Sequence, residues 1–210
     1  MAEAEAKTVV VLVSGTGTLL QAILDGQDET YRVSRVVADH ECPALERARR
    51  AGVDAVTVEM GADRSAWNGE LAERVAEGQP DLVVSAGFMR ILGSEFLDRF
   101  QGRTINTHPS LLPAFPGAHA VRDALGYGVK VTGCTVHFVD AGMDTGQIIA
   151  QRAVEVLDSD TEDSLHERIK RAEREQIVRL LRGGVVRQKA PGQTPGEAGN
   201  NNQHNQPTER

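Results

Sequence analysis

Short apolar runs of strand length alternate with stretches of helical periodicity along this chain. Four such runs lie at residues 9–13, 33–38, 55–58 and 81–86. The last run is apolar throughout its middle, as expected for a parallel strand that is covered on both faces. Such alternation is typical of βαβ units. The sequence therefore predicts an α/β fold, with an open, mostly parallel twisted sheet and helices on both faces.

The stretches between these runs are bounded by residues typical of helix ends. Those suited to a helix start are Pro43, Asp63 and Thr161, and those suited to a helix stop are Gly26, Gly52, Gly78 and Gly183. The last stretch is long, and its apolar face is interrupted by Gln176. A long β segment is predicted at 129–139.

The length of 210 residues suits one domain with a sizeable core. We place that domain at residues 1–189. Residues 190–210 are rich in Pro, Gly and Asn and lack large apolar side chains, so we predict a disordered tail.

The net charge bears on which partners the protein can bind, and the amino terminus bears on its location in the cell. With 30 acidic against 23 basic residues the net charge is −7, which argues against nucleic acid and anionic membranes as partners. The first apolar run is too short to span a bilayer and follows no basic region, so a cytoplasmic location is predicted.

Cys42 and Cys134 show no metal-binding spacing, and we expect both to be reduced packing residues.

A glycine-rich turn, residues 14–18 (Ser-Gly-Thr-Gly-Thr), follows the first strand and opens a helix. Backbone N–H groups and the helix dipole converge on an anion in that setting, which favours a phosphate-bearing ligand. Neither a dinucleotide fingerprint nor a P-loop is present. Because tight strand-to-helix turns also need glycine for backbone reasons alone, the turn by itself leaves both interpretations open.

Three polar residues form a candidate catalytic group. Asn106 and His108 are two residues apart in a strand-like segment, so they point to one face. An amide donor beside an imidazole suits acyl transfer to an amine, which forms an oxyanion and requires proton transfer near neutral pH. Asp144 lies in a loop between two strand-like runs. We hypothesise that this loop folds back and that the Asp144 carboxylate orients the imidazole of His108. Structural roles for all three, including turn formation by Asp144, remain open on this chemistry alone.

The segment from Asn106 to Pro113, Asn-Thr-His-Pro-Ser-Leu-Leu-Pro, closely resembles the motif of the folate-dependent formyltransferases. Three further segments are similar to glycinamide ribonucleotide formyltransferases: 14–18 to their phosphate turn, 86–92 to their folate-pocket strand and loop, and 140–146 to their mobile folate-binding loop. The similarity extends from about residue 9 to 181 without a large gap.

This resemblance implies a Rossmann-like formyltransferase fold in a single domain, with a phosphate-binding half at about 8–100 and a folate-binding and catalytic half at about 101–189. It implies transfer of a formyl group from 10-formyltetrahydrofolate to the amine of glycinamide ribonucleotide in purine (IMP) biosynthesis. It also implies two small-molecule substrates and no metal. Similar enzymes occur as monomers and dimers, and a homodimer is expected here.

The resemblance also assigns residues. Asn106, His108 and Asp144 match the catalytic positions. The implied ribonucleotide-binding residues are Gly15, Gly17, Thr18, Leu19 and Glu173. The implied folate-binding residues are Arg64, Met89, Arg90, Ile91, Leu92, Asn106, Asp140, Gly142 and Asp144.

Some of these residues have competing interpretations. Leu19 stands where family members often have Asn, so only its backbone N–H is left for the phosphate. Arg90, at the carboxyl end of a predicted strand, suits a folate carboxylate, but it also fits a solvated loop charge. Arg64 lies early in a predicted helix, where the dipole disfavours cations, so its assignment is open as well. Met89, Ile91 and Leu92 equally fit ordinary core packing. Glu173 lies near the inward face of the last helix, where a carboxylate needs a partner, and a salt bridge is its alternative.

The mechanistic hypothesis is direct attack of the neutral amine on the formyl carbon. Asn106 and a protonated His108 stabilise the oxyanion, and Asp144 holds His108 and assists proton removal. Rival activities are a formyltetrahydrofolate deformylase, expected to have an amino-terminal regulatory domain, and a methionyl-tRNA formyltransferase, expected to have a tRNA-binding domain. A non-catalytic nucleotide-binding module is a rival of another class.

Overall fold

The structure, a computed structural model, describes residues 6–183. The predicted tail at 190–210 and the outer ends of the predicted 1–189 domain lie outside the described residues.

The core of the fold is a seven-stranded sheet in the order β3-β2-β1-β4-β5-β6-β7. Its strands are β1 (Lys7–Val13), β2 (Tyr31–Ala38), β3 (Asp54–Thr57), β4 (Leu82–Ser85), β5 (Thr104–His108), β6 (Val131–Phe138) and β7 (Ile148–Glu155). Strands β1 to β5 are parallel, and β6 and β7 are antiparallel to their neighbours. The predicted mostly parallel α/β sheet is confirmed.

Helices cover both faces of this sheet. They are α1 (Thr18–Asp25), α2 (Pro43–Arg50), α3 (Arg64–Glu77), α4 (Ser94–Phe100), α5 (Ala120–Tyr127) and α6 (Glu162–Gly183). Alternate residues of β1 supply two cores. Val9 and Val11 pack with α1, α2 and the end of α6, whereas Val10 and Leu12 pack with α3 and α4. Burial on both faces explains why residues 9–13 of β1 and 82–84 of β4 are continuously apolar.

The helix ends follow the local sequence. The Asp63 carboxylate accepts a hydrogen bond from the Ala66 amide at 3.0 Å and caps α3, and the Thr161 hydroxyl accepts one from the Ser164 amide at 3.2 Å at the start of α6. Gly26 and Gly78 are the C-caps of α1 and α3. The sequence did not predict α4, which has only seven residues. No helix within residues 6–183 is both long and apolar enough to cross a bilayer.

The strand order creates the crevice that the candidate site uses. From β1 the sheet continues to β2 and β3 on one side and to β4 and β5 on the other, so the loops that follow β1 and β4 diverge. Register places Leu12 of β1 beside Ser85 of β4, Ser85 beside Asn106 of β5, and Asn106 beside His137 of β6. The predicted glycine-rich turn, folate loop and Asn-His pair therefore belong to neighbouring strands.

Candidate active site

The predicted trio of Asn106, His108 and Asp144 is brought together in the structure. His108 Nδ1 lies 3.3 Å from Asp144 Oδ2. Asn106 Nδ2 lies 3.4 Å from Nε2 of His137, which is itself 3.6 Å from Asp144 Oδ1. His108 and His137 are buried, and Asn106 and Asp144 are partly buried. Four side chains thus form one cluster on the face shared by β5 and β6.

His108 has a hydrogen-bond acceptor at each ring nitrogen. Nδ1 faces the Asp144 carboxylate, and Nε2 is 2.8 Å from the backbone carbonyl of Phe115. A neutral imidazole has one N–H and satisfies only one of these acceptors, whereas an imidazolium donates to both. Nε2 thus faces a neutral backbone carbonyl, whereas Nδ1 faces a carboxylate.

Asp144 is held in place by its loop as well as by the histidines. The Gly117 amide donates to Asp144 Oδ2 at 2.8 Å, and Asp144 has a left-handed backbone with φ of 56°. Interaction with His137, the hydrogen bond from Gly117 and the charge of His108 lower the pKa of Asp144, although burial opposes the shift. Asp144 is consequently a carboxylate at neutral pH.

His137 is a member of the cluster that sequence reasoning missed. It lies directly opposite Asn106 across the β5–β6 pair, and its Nδ1 donates to the Phe138 carbonyl at 2.8 Å. A neutral His137 accepts from the Asn106 amide, and a charged one pairs with Asp144. In the first case one hydrogen of the Asn106 amide is used, and the second is left for an oxyanion. The available signal was a lone histidine in an apolar strand just before the Asp144 loop.

The loop after β5 forms hydrogen bonds with both His108 and Asp144. It supplies the Phe115 carbonyl to His108 and the Gly117 amide to Asp144. Phe115 has a left-handed backbone with φ of 52°, and its ring packs edge-on against Tyr127 with ring centroids 5.9 Å apart. Ser110, which donates to the Ala114 carbonyl at 2.6 Å, ties the loop to itself. The loop therefore sets the hydrogen-bonding environment of His108.

The glycine-rich turn has the shape of an anion site at the start of α1. Gly17 has φ of 72°, and a Cβ there would lie 2.7 Å from the Ala44 Cβ, so both conformation and space require glycine. Gly15 and Thr18 are exposed, which leaves their backbone near solvent at a helix amino terminus. The Leu19 side chain packs against the core, so any ligand contact at this position is through its backbone.

The predicted folate loop after β4 has mixed exposure. Met89 is 80% exposed and Ile91 57%, while Leu92 is buried. Arg64 donates to the Ile91 carbonyl at 3.0 Å. Ordinary core packing therefore accounts for Leu92 but not for Met89 or Ile91.

Arg90 has an internal partner, because its Nε donates to Oδ2 of buried Asp39 at 2.5 Å. This differs from the solvated loop charge that was its alternative interpretation. The Arg90 side chain is 38% exposed, so part of it still faces solvent.

The loop after β6 folds back to deliver Asp144. Asp140 accepts from the Gly142 amide at 3.1 Å and from the Thr145 hydroxyl at 2.7 Å, so it shapes the loop. A Cβ on Gly142 would lie only 2.0 Å from the Thr145 Oγ1. Within residues 6–183 no group of three or more His, Cys, Asp or Glu side chains is arranged to hold a metal ion.

Glu173 points into the protein from α6 and is 9% exposed. Burial raises its pKa to about 7, with Lys170 and Arg174 opposing the shift. The structure gives Glu173 no side-chain hydrogen bond or ion pair among the described residues, so the salt-bridge alternative has no support there. Nearby Cys134 donates to the Gln176 side chain at 2.9 Å.

Both cysteines are buried and free, as predicted. Burial raises the pKa of Cys134 to about 12, so its thiol stays protonated.

Comparison with known proteins supplies the family. Residues 7–181 match the family model described as formyl transferase. The phosphoribosylglycinamide formyltransferase of Mycobacterium tuberculosis is 58% identical over 174 residues, which cover 81% of each chain. The trifunctional purine biosynthetic protein adenosine-3 of Drosophila melanogaster is 42% identical over 183 residues, covering 83% of this chain and 14% of that protein. The crystal structure of glycinamide ribonucleotide transformylase 1 from Symbiobacterium toebii superposes with a TM-score of 0.83 at 46% identity, covering 87% of this chain and 92% of that one. The chain therefore belongs to the formyl transferase family and, within it, to the phosphoribosylglycinamide formyltransferases.

Proposed function

We propose that this enzyme transfers the formyl group of 10-formyltetrahydrofolate to the amine of glycinamide ribonucleotide, as a cytoplasmic step of purine biosynthesis. The observation that carries the chemistry is His108, held between a carboxylate at Nδ1 and a carbonyl at Nε2 beside the Asn106 amide. Such a pair of donors suits a reaction that develops an oxyanion. Family membership supports the identity of the two substrates.

In the proposed reaction the neutral amine attacks the formyl carbon directly. The new C–N bond forms as the carbonyl oxygen becomes an oxyanion, which accepts hydrogen bonds from Asn106 and from Nε2–H of His108. A charged oxygen is a stronger acceptor than the Phe115 carbonyl that Nε2 faces in the structure, so the oxyanion displaces that carbonyl.

The remaining steps move one proton and break one bond. The attacking nitrogen loses a proton to Asp144 through a water molecule. The oxyanion then re-forms a carbonyl as the bond from the formyl carbon to N10 breaks, and N10 of the folate takes that same proton from Asp144. Asp144 keeps His108 charged through the first step and accepts the amine proton through a water molecule. The low pKa of Asp144 keeps it ionised, as its role beside the charged His108 requires.

The binding assignments follow the same geometry. The backbone N–H groups of Gly17, Thr18 and Leu19 at the start of α1 bind the phosphate. Glu173 is a buried carboxyl that has no side-chain partner within residues 6–183, and it accepts hydrogen bonds from the ribonucleotide.

On the donor side, the exposed Met89 and Ile91 line the folate site next to Leu92, and Arg64 and Arg90 supply positive charge for the folate tail. Asp140 and Gly142 shape the loop that closes on it.

The test is a formyl-transfer assay that follows loss of the folate formyl group with and without glycinamide ribonucleotide. Strict dependence on the ribonucleotide, with formylated amine as product, supports the proposal. Equal turnover without the ribonucleotide would mean a deformylase. No turnover under either condition would mean a binding module.

Asn106→Ala should lower kcat by roughly 10²–10³-fold. The matched control is Gln101→Ala, which removes an exposed amide after α4 and should leave kcat unchanged. Near-normal turnover of Asn106→Ala contradicts the oxyanion assignment.

A further inference from the structure

A buried carboxylate lies where three neighbouring strands end. Asp39 directly follows β2, Ser14 directly follows β1, and the donor loop (residues 86–92) directly follows β4. The Asp39 side chain is only 1% exposed. Because β2, β1 and β4 are adjacent in the sheet, Asp39 lies beside both walls of the crevice.

Asp39 is bound from more than one side. Oδ2 accepts from Arg90 Nε at 2.5 Å, and Oδ1 is 2.9 Å from His40 Nδ1. The Ser14 hydroxyl faces the carboxylate, and it also accepts a hydrogen bond from the Met89 amide at 2.9 Å. Consecutive residues of the donor loop are therefore tied to the end of β1 through a backbone amide and to Asp39 through a guanidinium.

We propose that Asp39 is a positioning residue that fixes the donor loop to the glycine-rich turn and orients Arg90 towards the folate tail. With Nε held by Asp39, the guanidinium is fixed at its base. Nε is engaged by Asp39, so the terminal nitrogens of this partly exposed side chain remain available to bind an anionic group bidentately. This role rests on the proposed function, because the folate tail is the anion that Arg90 meets.

The electrostatics agree with a permanently charged Asp39. Burial alone would raise the pKa of its carboxyl, but interactions with Ser14, Arg90 and His40 outweigh burial and lower it. A buried carboxylate with its hydrogen bonds satisfied is rigid, whereas an amide in its place has one acceptor atom instead of two. Asp39→Asn therefore loses the charge and one of the acceptors while keeping the shape.

The first experiment needs no substrate. Amide hydrogen exchange of the donor loop should become on the order of tenfold faster in Asp39→Asn than in the wild type, since a hydrogen bond to a charged group is lost. Asp158→Asn, which removes a carboxylate from the exposed Lys130 ion pair, is the matched control and should leave exchange in this loop unchanged. Unchanged exchange in Asp39→Asn overturns the proposal whatever the enzyme's substrates are.

The second experiment is kinetic. In Asp39→Asn the KM for 10-formyltetrahydrofolate should rise about tenfold, with kcat changed by less than about threefold. If Asp39 acts through Arg90, the donor KM of the double variant Asp39→Asn/Arg90→Met should equal that of Arg90→Met alone. If the increases in donor KM caused by the two substitutions multiply in the double variant, the proposed role of Asp39 through Arg90 is overturned.

Two controls keep these outcomes separate from folding and from the proposed function. If Asp39→Asn does not fold, Ser14→Ala removes the tie to the Met89 amide and should also speed exchange in the donor loop; no change there again overturns the proposal. A wild-type enzyme without donor-dependent turnover would refute the proposed function, and the exchange experiment would still decide the role of Asp39.

Discussion

Replacing Glu173 by glutamine should stabilise the protein at alkaline pH. The carboxyl is buried without a partner among the described residues, and its pKa is raised from 4.5 to about 7. A group with a raised folded-state pKa favours folding when protonated. Its contribution is fully present below pH 4.5 and is lost as the pH rises through about 7. Glutamine has nearly the same shape but no charge, so it escapes that loss.

The magnitude follows from the size of the shift. A rise from 4.5 to about 7 corresponds to about 3 kcal/mol of unfolding free energy once the group is ionised in both states. At pH 5 the wild type should have lost less than about 1 kcal/mol. The gain from Glu173→Gln should therefore grow by about 2 kcal/mol between pH 5 and pH 8.

Urea denaturation at pH 5, 6, 7 and 8 measures this directly. Glu175→Gln is the matched control, because Glu175 is 53% exposed and pairs with Arg152 on the surface, so its effect should stay small at every pH. A Glu173→Gln effect that does not change with pH would refute the reasoning, as would a wild type that is the more stable protein at pH 8.

Three further changes probe the site and the fold. Asp144→Asn should lower kcat by roughly a hundredfold or more, because His108 loses the carboxylate that faces its Nδ1; near-normal turnover would contradict this. Gly17→Ala should lower thermal stability and raise the ribonucleotide KM, since its Cβ would meet Ala44 at 2.7 Å; a normal melting temperature and KM would show that the turn adapts. Asp63→Ala should cost about 1 kcal/mol in denaturant unfolding through loss of the α3 cap and leave kcat unaffected; no loss of stability would mean that the cap is dispensable.

Parts of the site were predictable because they depend on local geometry. Asn106 and His108 share a face because side chains alternate along a strand, and the sequence shows that spacing directly. The parallel part of the sheet followed from runs such as 81–86, whose middle is apolar because burial on both faces favours apolar side chains at consecutive positions. The α3 start at Asp63 followed from capping chemistry within four residues.

Other parts depend on contacts between distant segments. The closeness of Asp144 to His108 requires β6 to pair antiparallel with β5 and the following loop to fold back, and no local pattern encodes either. His137 was missed because its partner Asn106 is 31 residues away in sequence. Arg90 looked like a free charge because its partner Asp39 follows a different strand.

The left-handed backbones of Phe115 and Asp144 have a consequence for protein engineering. Each such conformation costs a non-glycine residue on the order of 1 kcal/mol, and the two well-packed faces of the sheet offset it. A redesign for thermostability that evaluates one position at a time will therefore favour glycine at both Phe115 and Asp144. At Asp144 that choice deletes the carboxylate that holds His108. Thermostable variants of this enzyme should therefore leave these two positions alone and seek their gains at exposed helix surfaces.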